Sequence, residues 1–328
     1  MEQKIDYNGF SYRININQEN KTLEKLDILH NITESKYLCK YYSLSNFSID
    51  AVLNHYFYAT HPKDLNDKHD CSAYLIDYSN CNLSTFIKKI HEAEKTLYNR
   101  IESTEEIIKK YFHSSEKWRL ERRLAELNAA CLFSLFGIIS LTSVDDNVLM
   151  WAHYAQNNGF LIKIDSSLMR NDNLYGAFPI NYSSKLHTIE SDSSVPILNV
   201  LYQSNIKSDI WSYENEWRYL YFNPNEREHI SKSNRKMLYD KTALVEIVLG
   251  FNFFEPASSI RRYVEYDILK LRTKHKNYKL KRKLLNFITE SGVKTFLICA
   301  ETKEFSLIKN EIIIEKIGSN TFKIRYGK

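Results

Sequence analysis

Two glutamates, Glu214 and Glu216, stand two apart in the stretch SDIWSYENEWRYLYF, residues 208–222, within a run of aromatic residues. In a strand, positions two apart share a face. Glu214, Glu216 and Arg218 would then line one side, and Tyr213, Asn215, Trp217, Tyr219 and Tyr221 the other. The aromatic side would enter a core and the charged side would open on a cleft. A carboxylate held in such a cleft can oppose positive charge developing on a sugar, as in the oxocarbenium-like transition state of glycoside hydrolysis. The competing expectation is a sheet surface on which Arg218 neutralises Glu216, a pair contributing only ~0–1 kcal/mol.

The elements that must position these residues follow from hydrophobic spacing. Alternation in KYLCKYYSL (36–44) and short apolar runs elsewhere predict strands there and at YFYAT (56–60), FGIISLTS (136–143), FLIKID (160–165), ALVEIVLG (243–250), VKTFLICA (293–300) and NTFKIRYG (320–327), besides the glutamate stretch itself. Three- and four-residue spacing predicts a helical hairpin over 83–128, a helix in DDNVLMWAHYAQNNG, and a short helix around VPILNVLYQS. Ser143, with Asp146 three residues on, reads as the N-cap of the first of these two helices. Residues 1–34 read as a peripheral N-terminal extension, and residues 257–287 as a basic helical segment. Strands lie on both sides of helical insertions without regular βαβ alternation, so the expected class is α+β, a single catalytic-type domain over 35–328.

Composition narrows the chemistry. Of the 328 residues, 43% are hydrophobic, enough for a substantial core, and the net charge of +5 permits an acidic partner without requiring one. Five cysteines without a C-x-x-C pair suggest a reducing compartment, and the polar N-terminus and the lack of any spanning apolar run lead us to expect a cytoplasmic protein away from membranes. The eight glycines never write a dinucleotide-binding fingerprint or a phosphate loop. His61, His69 and Cys71 match no zinc spacing, and no metal site is expected from them.

Four pieces together resemble the bacterial family catalogued as domain of unknown function 2971: CKYYSL, YFYATHPKDLNDKHDC (56–71), ISLTSVDDNVLMWAHYAQNNGFLIKID (139–165), and KSDIWSYENEWRYLYF (207–222) followed by VEIVLGFNF (245–253). The resemblance runs from about Tyr37 to residue 315, with Lys68 where the family has proline and Asn158 where it has histidine. The chain is also similar to ADP-ribosyltransferases of the arginine-serine-glutamate type. These place a basic residue on a first strand, a Ser-Thr-Ser motif on a middle strand and a Glu-x-Glu pair on a later one. Here Lys40 or Tyr41 stands first, a lysine or tyrosine where arginine or histidine is usual. Ser140, Thr142 and Ser143 follow, then Glu214 and Glu216.

That likeness implies a split antiparallel sheet with NAD as substrate, Glu216 opposing charge on the ribose, and Glu214 activating the acceptor. Ser140 and Thr142 share strand parity and could hold the nicotinamide ribose or the strand edge; Tyr154 could stack on nicotinamide, or pack in the core with Met150 and Trp151. The implied activity is transfer of ADP-ribose to a protein or nucleic acid, as in a toxin or antiviral effector. From Arg261 to Lys283 there are ten Lys or Arg against two acids, which could meet phosphates or form a solvated face. Two other classes remain open. One is a nucleic-acid-binding or nuclease module in which Glu214, Glu216 and Asp67 hold a metal. The other is a non-enzymatic protein that binds partners through the helical hairpin. LNDKHD (65–70) reads as a turn held by Asx hydrogen bonds, or as a ligand-contacting loop.

Overall fold

The computed structural model describes residues 2–17, 19, 23–79, 136–190, 196–222, 235–257, 260–274 and 277–327, with scattered positions between 84 and 130. Most of the helical hairpin expected at 83–128 therefore lies outside the described residues. The chain is built mostly of strands, in one large and predominantly antiparallel sheet with a few helices. Across this eleven-stranded sheet the order is Ile260–Arg262, Asp267–Lys270, Thr321–Tyr326, Leu307–Gly318, Lys294–Ala300, Leu244–Leu249, Phe160–Asp165, Tyr37–Tyr42, Phe136–Thr142, Glu216–Phe222, Leu174–Pro179. Leu244–Leu249 and Lys294–Ala300 run parallel. Parallel neighbours need a long crossover, and this one contains a hairpin and the helix Tyr278–Ser291.

Alternation along the strands divides two packed faces. On one, Leu38, Ile139, Leu141, Ile162, Ile164, Trp217, Tyr219, Ile247 and Leu249 join Ile49 and Val52 of helix Asn46–Leu53 and Leu284, Leu285 and Ile288 of helix Tyr278–Ser291. Each such aliphatic side chain contributes about 1.5–3 kcal/mol when fully buried. The other face carries two separate groups. Cys39, Tyr41, Leu161 and Val248 meet Met150, Trp151 and Ala155 of helix Val148–Ala155. Phe136, Ile138 and Leu220 meet Leu198, Leu201 and Tyr202 of helix Pro196–Asn205.

The N-terminal residues are more than an extension. Glu2–Tyr7, Phe10–Ile16 and Leu23–Leu29 form a three-stranded antiparallel meander. Its Phe10, Tyr12, Ile14, Leu26 and Ile28 complete the apolar group around Leu201. Asn8 and Gly9, both at positive φ (51° and 79°), make the tight turn that a two-residue hairpin loop favours. The basic stretch also departs from expectation. In place of one continuous helix, Ile260–Arg262 pairs antiparallel with Asp267–Lys270, and only then does Tyr278–Ser291 turn helical.

The sheet opens at one seam. Tyr37–Tyr42 pairs with Phe160–Asp165 over six residues but with Phe136–Thr142 at Cys39 and Thr142 alone. Phe136–Thr142 pairs fully with Glu216–Phe222 on its other side. Close by, Gly159 lets the chain pass against Tyr42: a Cβ there would lie 2.0 Å from the Tyr42 carbonyl oxygen.

Candidate active site

The opened seam carries a cavity of about 240 Å³. Seven of the residues singled out for chemistry in the sequence line it, Lys40, Tyr41, Ser140, Thr142, Tyr154, Glu214 and Glu216, whereas Ser143 and Asp67 do not. Three adjacent strands, the α-helix Val148–Ala155 and a short 3-10 helix supply them. Register sets Glu216 opposite Thr142 and Arg218 opposite Ser140, so both charged side chains of the last strand flank the middle one.

Glu214 arrives by a different route from the one expected. The strand begins only at Glu216, and Asp209–Glu214 is a 3-10 helix. Asn215 joins them in the left-handed conformation (φ 43°), which asparagine tolerates better than most side chains. Thr142 Oγ1 donates to the Glu214 carbonyl at 2.5 Å, so the middle strand fixes the turn that carries the glutamate. The aromatic half of the expectation stands: Trp217 and Tyr219 enter the large core while Glu216 and Arg218 face the cavity.

The two carboxylates meet at an ammonium. Lys207 Nζ donates to Glu214 Oε2 at 2.6 Å and to Glu216 Oε2 at 2.8 Å. Arg218 Nε donates to Glu216 Oε1 at 2.7 Å and Nη2 to Oε2 at 3.0 Å; the same guanidinium grips both oxygens of Asp70, at 2.8 and 2.5 Å. Glu214, Glu216 and Arg218 are 3%, 4% and 1% exposed. The pair Glu216–Arg218 is thus real but buried, and a surface value does not describe it. Burial alone would raise the Glu216 pKa, yet Arg218 and Lys207 hold it down to about 2, so the carboxylate stays ionised. For Lys207, burial favours the neutral amine, but Glu216 and Glu214 outweigh it and its pKa is raised.

The other lining groups divide by where their polar atoms go. Tyr154, from helix Val148–Ala155, donates to Glu214 Oε1 at 2.5 Å and accepts from Asn66 Nδ2 at 3.0 Å. Lys40 Nζ reaches across the seam to the Ser140 carbonyl at 2.9 Å, replacing a strand-to-strand bond with a charged one. Burial lowers its pKa to about 8, with Glu216 pulling the other way. The Tyr41 hydroxyl is turned to the Val144 carbonyl and its ring packs edge-on against Trp151. Of the two candidates for the first position, the lysine is therefore the one that presents its charge. Thr142 holds the strand edge through Glu214, and Ser140 lies on the cavity wall. Ser143 is not the helix cap; Asn147 is, accepting from Leu149 and Met150 N–H. His153 is exposed and does not line the cavity, its Nδ1 3.2 Å from the Tyr213 hydroxyl.

The carboxylate set considered for a metal does not assemble. Asp67 accepts from the His69 N–H in an Asx turn, as LNDKHD predicts, and does not line the cavity. His61 is likewise turned to the Lys63 N–H. Among the described residues no group of three or more His, Cys, Asp or Glu is placed to hold a metal ion.

Asp70 and Lys207 were not singled out by sequence reasoning. Asp70 stands at the end of a polar turn and Lys207 in the middle of the three-residue strand Ile206–Ser208, and no spacing rule links them to Glu216. Lys207 lies just outside the stretch 208–222, seven residues before Glu214, and the cation nearest the two acids in the sequence is Arg218.

A family model described as a protein of unknown function, DUF2971, matches residues 150–219, the span from helix Val148–Ala155 to the middle of the Glu216 strand. No curated protein and no solved structure matches the chain. Among the described residues, no helix is long and apolar enough to cross a membrane.

Proposed function

We propose that the cavity takes the nicotinamide-ribose end of NAD and that the chain is an ADP-ribosyl-transferring enzyme. One observation carries this reading: a basic side chain from a first strand, a serine-threonine edge from a middle strand and a glutamate pair before a later strand converge where the sheet opens. The cavity of about 240 Å³ is smaller than the roughly 300–1,000 Å³ that enclose a drug-sized ligand, so it would hold one end of the dinucleotide with the rest across its mouth.

The chemistry follows from the contacts. Glu216 Oε2 already accepts two N–H groups and Oε1 one, which leaves a lone pair on Oε1 for a ribose hydroxyl. The fixed, ionised carboxylate would then oppose charge on the sugar as the nicotinamide bond breaks, an interaction stronger in the transition state than in the ground state. Lys40, with N–H groups beyond the one given to Ser140, would meet the dinucleotide phosphates. A toxin or antiviral effector could use such chemistry, either on a protein or nucleic acid or by depleting NAD. The test is nicotinamide release from NAD. Glu216→Gln keeps the size of the side chain and removes its charge, and the rate should fall by about 10²–10³ with the fold unchanged by circular dichroism. Equal rates in the two proteins would refute the reading.

A further inference from the structure

The geometry points to water, not a guanidinium or other macromolecular group, as the acceptor of the ADP-ribose. This rests on the NAD reading above and concerns Glu214, the glutamate to which an acceptor-activating role was assigned. Each of its two oxygens already accepts one internal donor, the Tyr154 hydroxyl on Oε1 and the Lys207 ammonium on Oε2, and keeps one lone pair. Lys207 binds both glutamates at once, so a cationic acceptor brought to Glu214 would meet the like charge of an ammonium already in place.

Asp70, Glu214 and Glu216 are each engaged by Lys207 or Arg218 from within the protein, while Lys40 and Asp64 add one charge of each sign to the lining. Space points the same way. Glu214 is 3% exposed, and an acceptor must meet it inside a cavity of about 240 Å³ that the ribose already occupies. A water molecule, whose share of liquid volume is about 30 Å³, fits beside a sugar; a protein side chain with its backbone does not.

The reaction is a redox-neutral hydrolysis. The bond between ribose C1′ and the nicotinamide nitrogen breaks with its electron pair going to nicotinamide, which leaves neutral. The water oxygen bonds to C1′, and its proton passes to Glu214, whose oxygens each keep an unoccupied lone pair, and then to solvent. The product is free ADP-ribose.

The test uses the intact protein and NAD labelled in the adenine, with three arms: buffer alone, added agmatine as a guanidinium acceptor, and added cell extract. In all three the label should appear as acid-soluble free ADP-ribose, in amounts equal to the nicotinamide released, and agmatine should leave both unchanged. ADP-ribosyl-agmatine, or acid-precipitable label in the extract arm, overturns the inference while leaving NAD cleavage standing. Absence of nicotinamide release in every arm removes the NAD reading and this inference together.

Discussion

At the scale of single residues, the site is a set of charges that hold one another in place. Removing one member of a buried ionic group typically costs about 3–5 kcal/mol because the partners are left uncompensated, so conservative substitutions are the informative ones here. Lys40 gives the sharpest pH dependence. Its folded pKa lies near 8, so the ammonium that would meet the NAD phosphates is present below that pH and lost above it. Affinity for NAD, measured by calorimetry between pH 7 and 9, should weaken as pH rises through this range. Lys40→Met should bind weakly throughout and show no such slope. An unchanged slope in the variant would assign the titration to another group.

At the scale of elements, the turn before the strand Glu216–Phe222 decides whether the glutamates meet. Asn215 holds a left-handed conformation, and its N–H bonds the Ser212 carbonyl at 3.1 Å. Asn215→Ala should lower stability by about 1 kcal/mol in urea unfolding and reduce NAD cleavage, whereas Asn215→Gly should preserve both. Strands such as Tyr37–Tyr42, Phe160–Asp165 and Lys294–Ala300 were legible in the sequence because both of their faces carry apolar residues. The glutamate stretch misled in part, since period-two reasoning takes continuous extended backbone and a single left-handed residue breaks it. The N-terminal meander was hidden by polar outward positions that dilute its alternation, although YNGF carries the Asn-Gly turn signal. The basic stretch read as helix because lysine and arginine favour helices, but the hairpin Ile260–Leu269 is held by cross-strand pairing that composition does not display. Of the site, the strand-borne groups could be read from motif order, while Asp70 and Lys207 could not, because only tertiary packing brings them to Arg218 and Glu216.

At the scale of the whole molecule, the sheet sets the distance between its two most charged features. The hairpin of the basic segment forms one edge, and the Glu216 strand is next to the opposite edge. At about 4.8 Å per strand, eight or nine spacings put the separation along the sheet at roughly 40 Å. A nucleic acid held by the exposed Arg261, Arg262, Lys274 and Lys279 would therefore not reach the cavity through that contact alone. Replacing Lys274 and Lys279 by Ala should leave the rate of NAD cleavage unchanged within twofold. A loss of rate would show that the basic edge and the cavity act together. The central claim is that the opened seam is a binding site for nicotinamide ribose. Its most direct test is a crystal structure with a non-hydrolysable NAD analogue at saturating concentration. The ribose should lie beside Glu216 Oε1, within reach of Ser140 and Tyr154; an analogue bound with its ribose elsewhere, or a cavity left without it, would rule this site out.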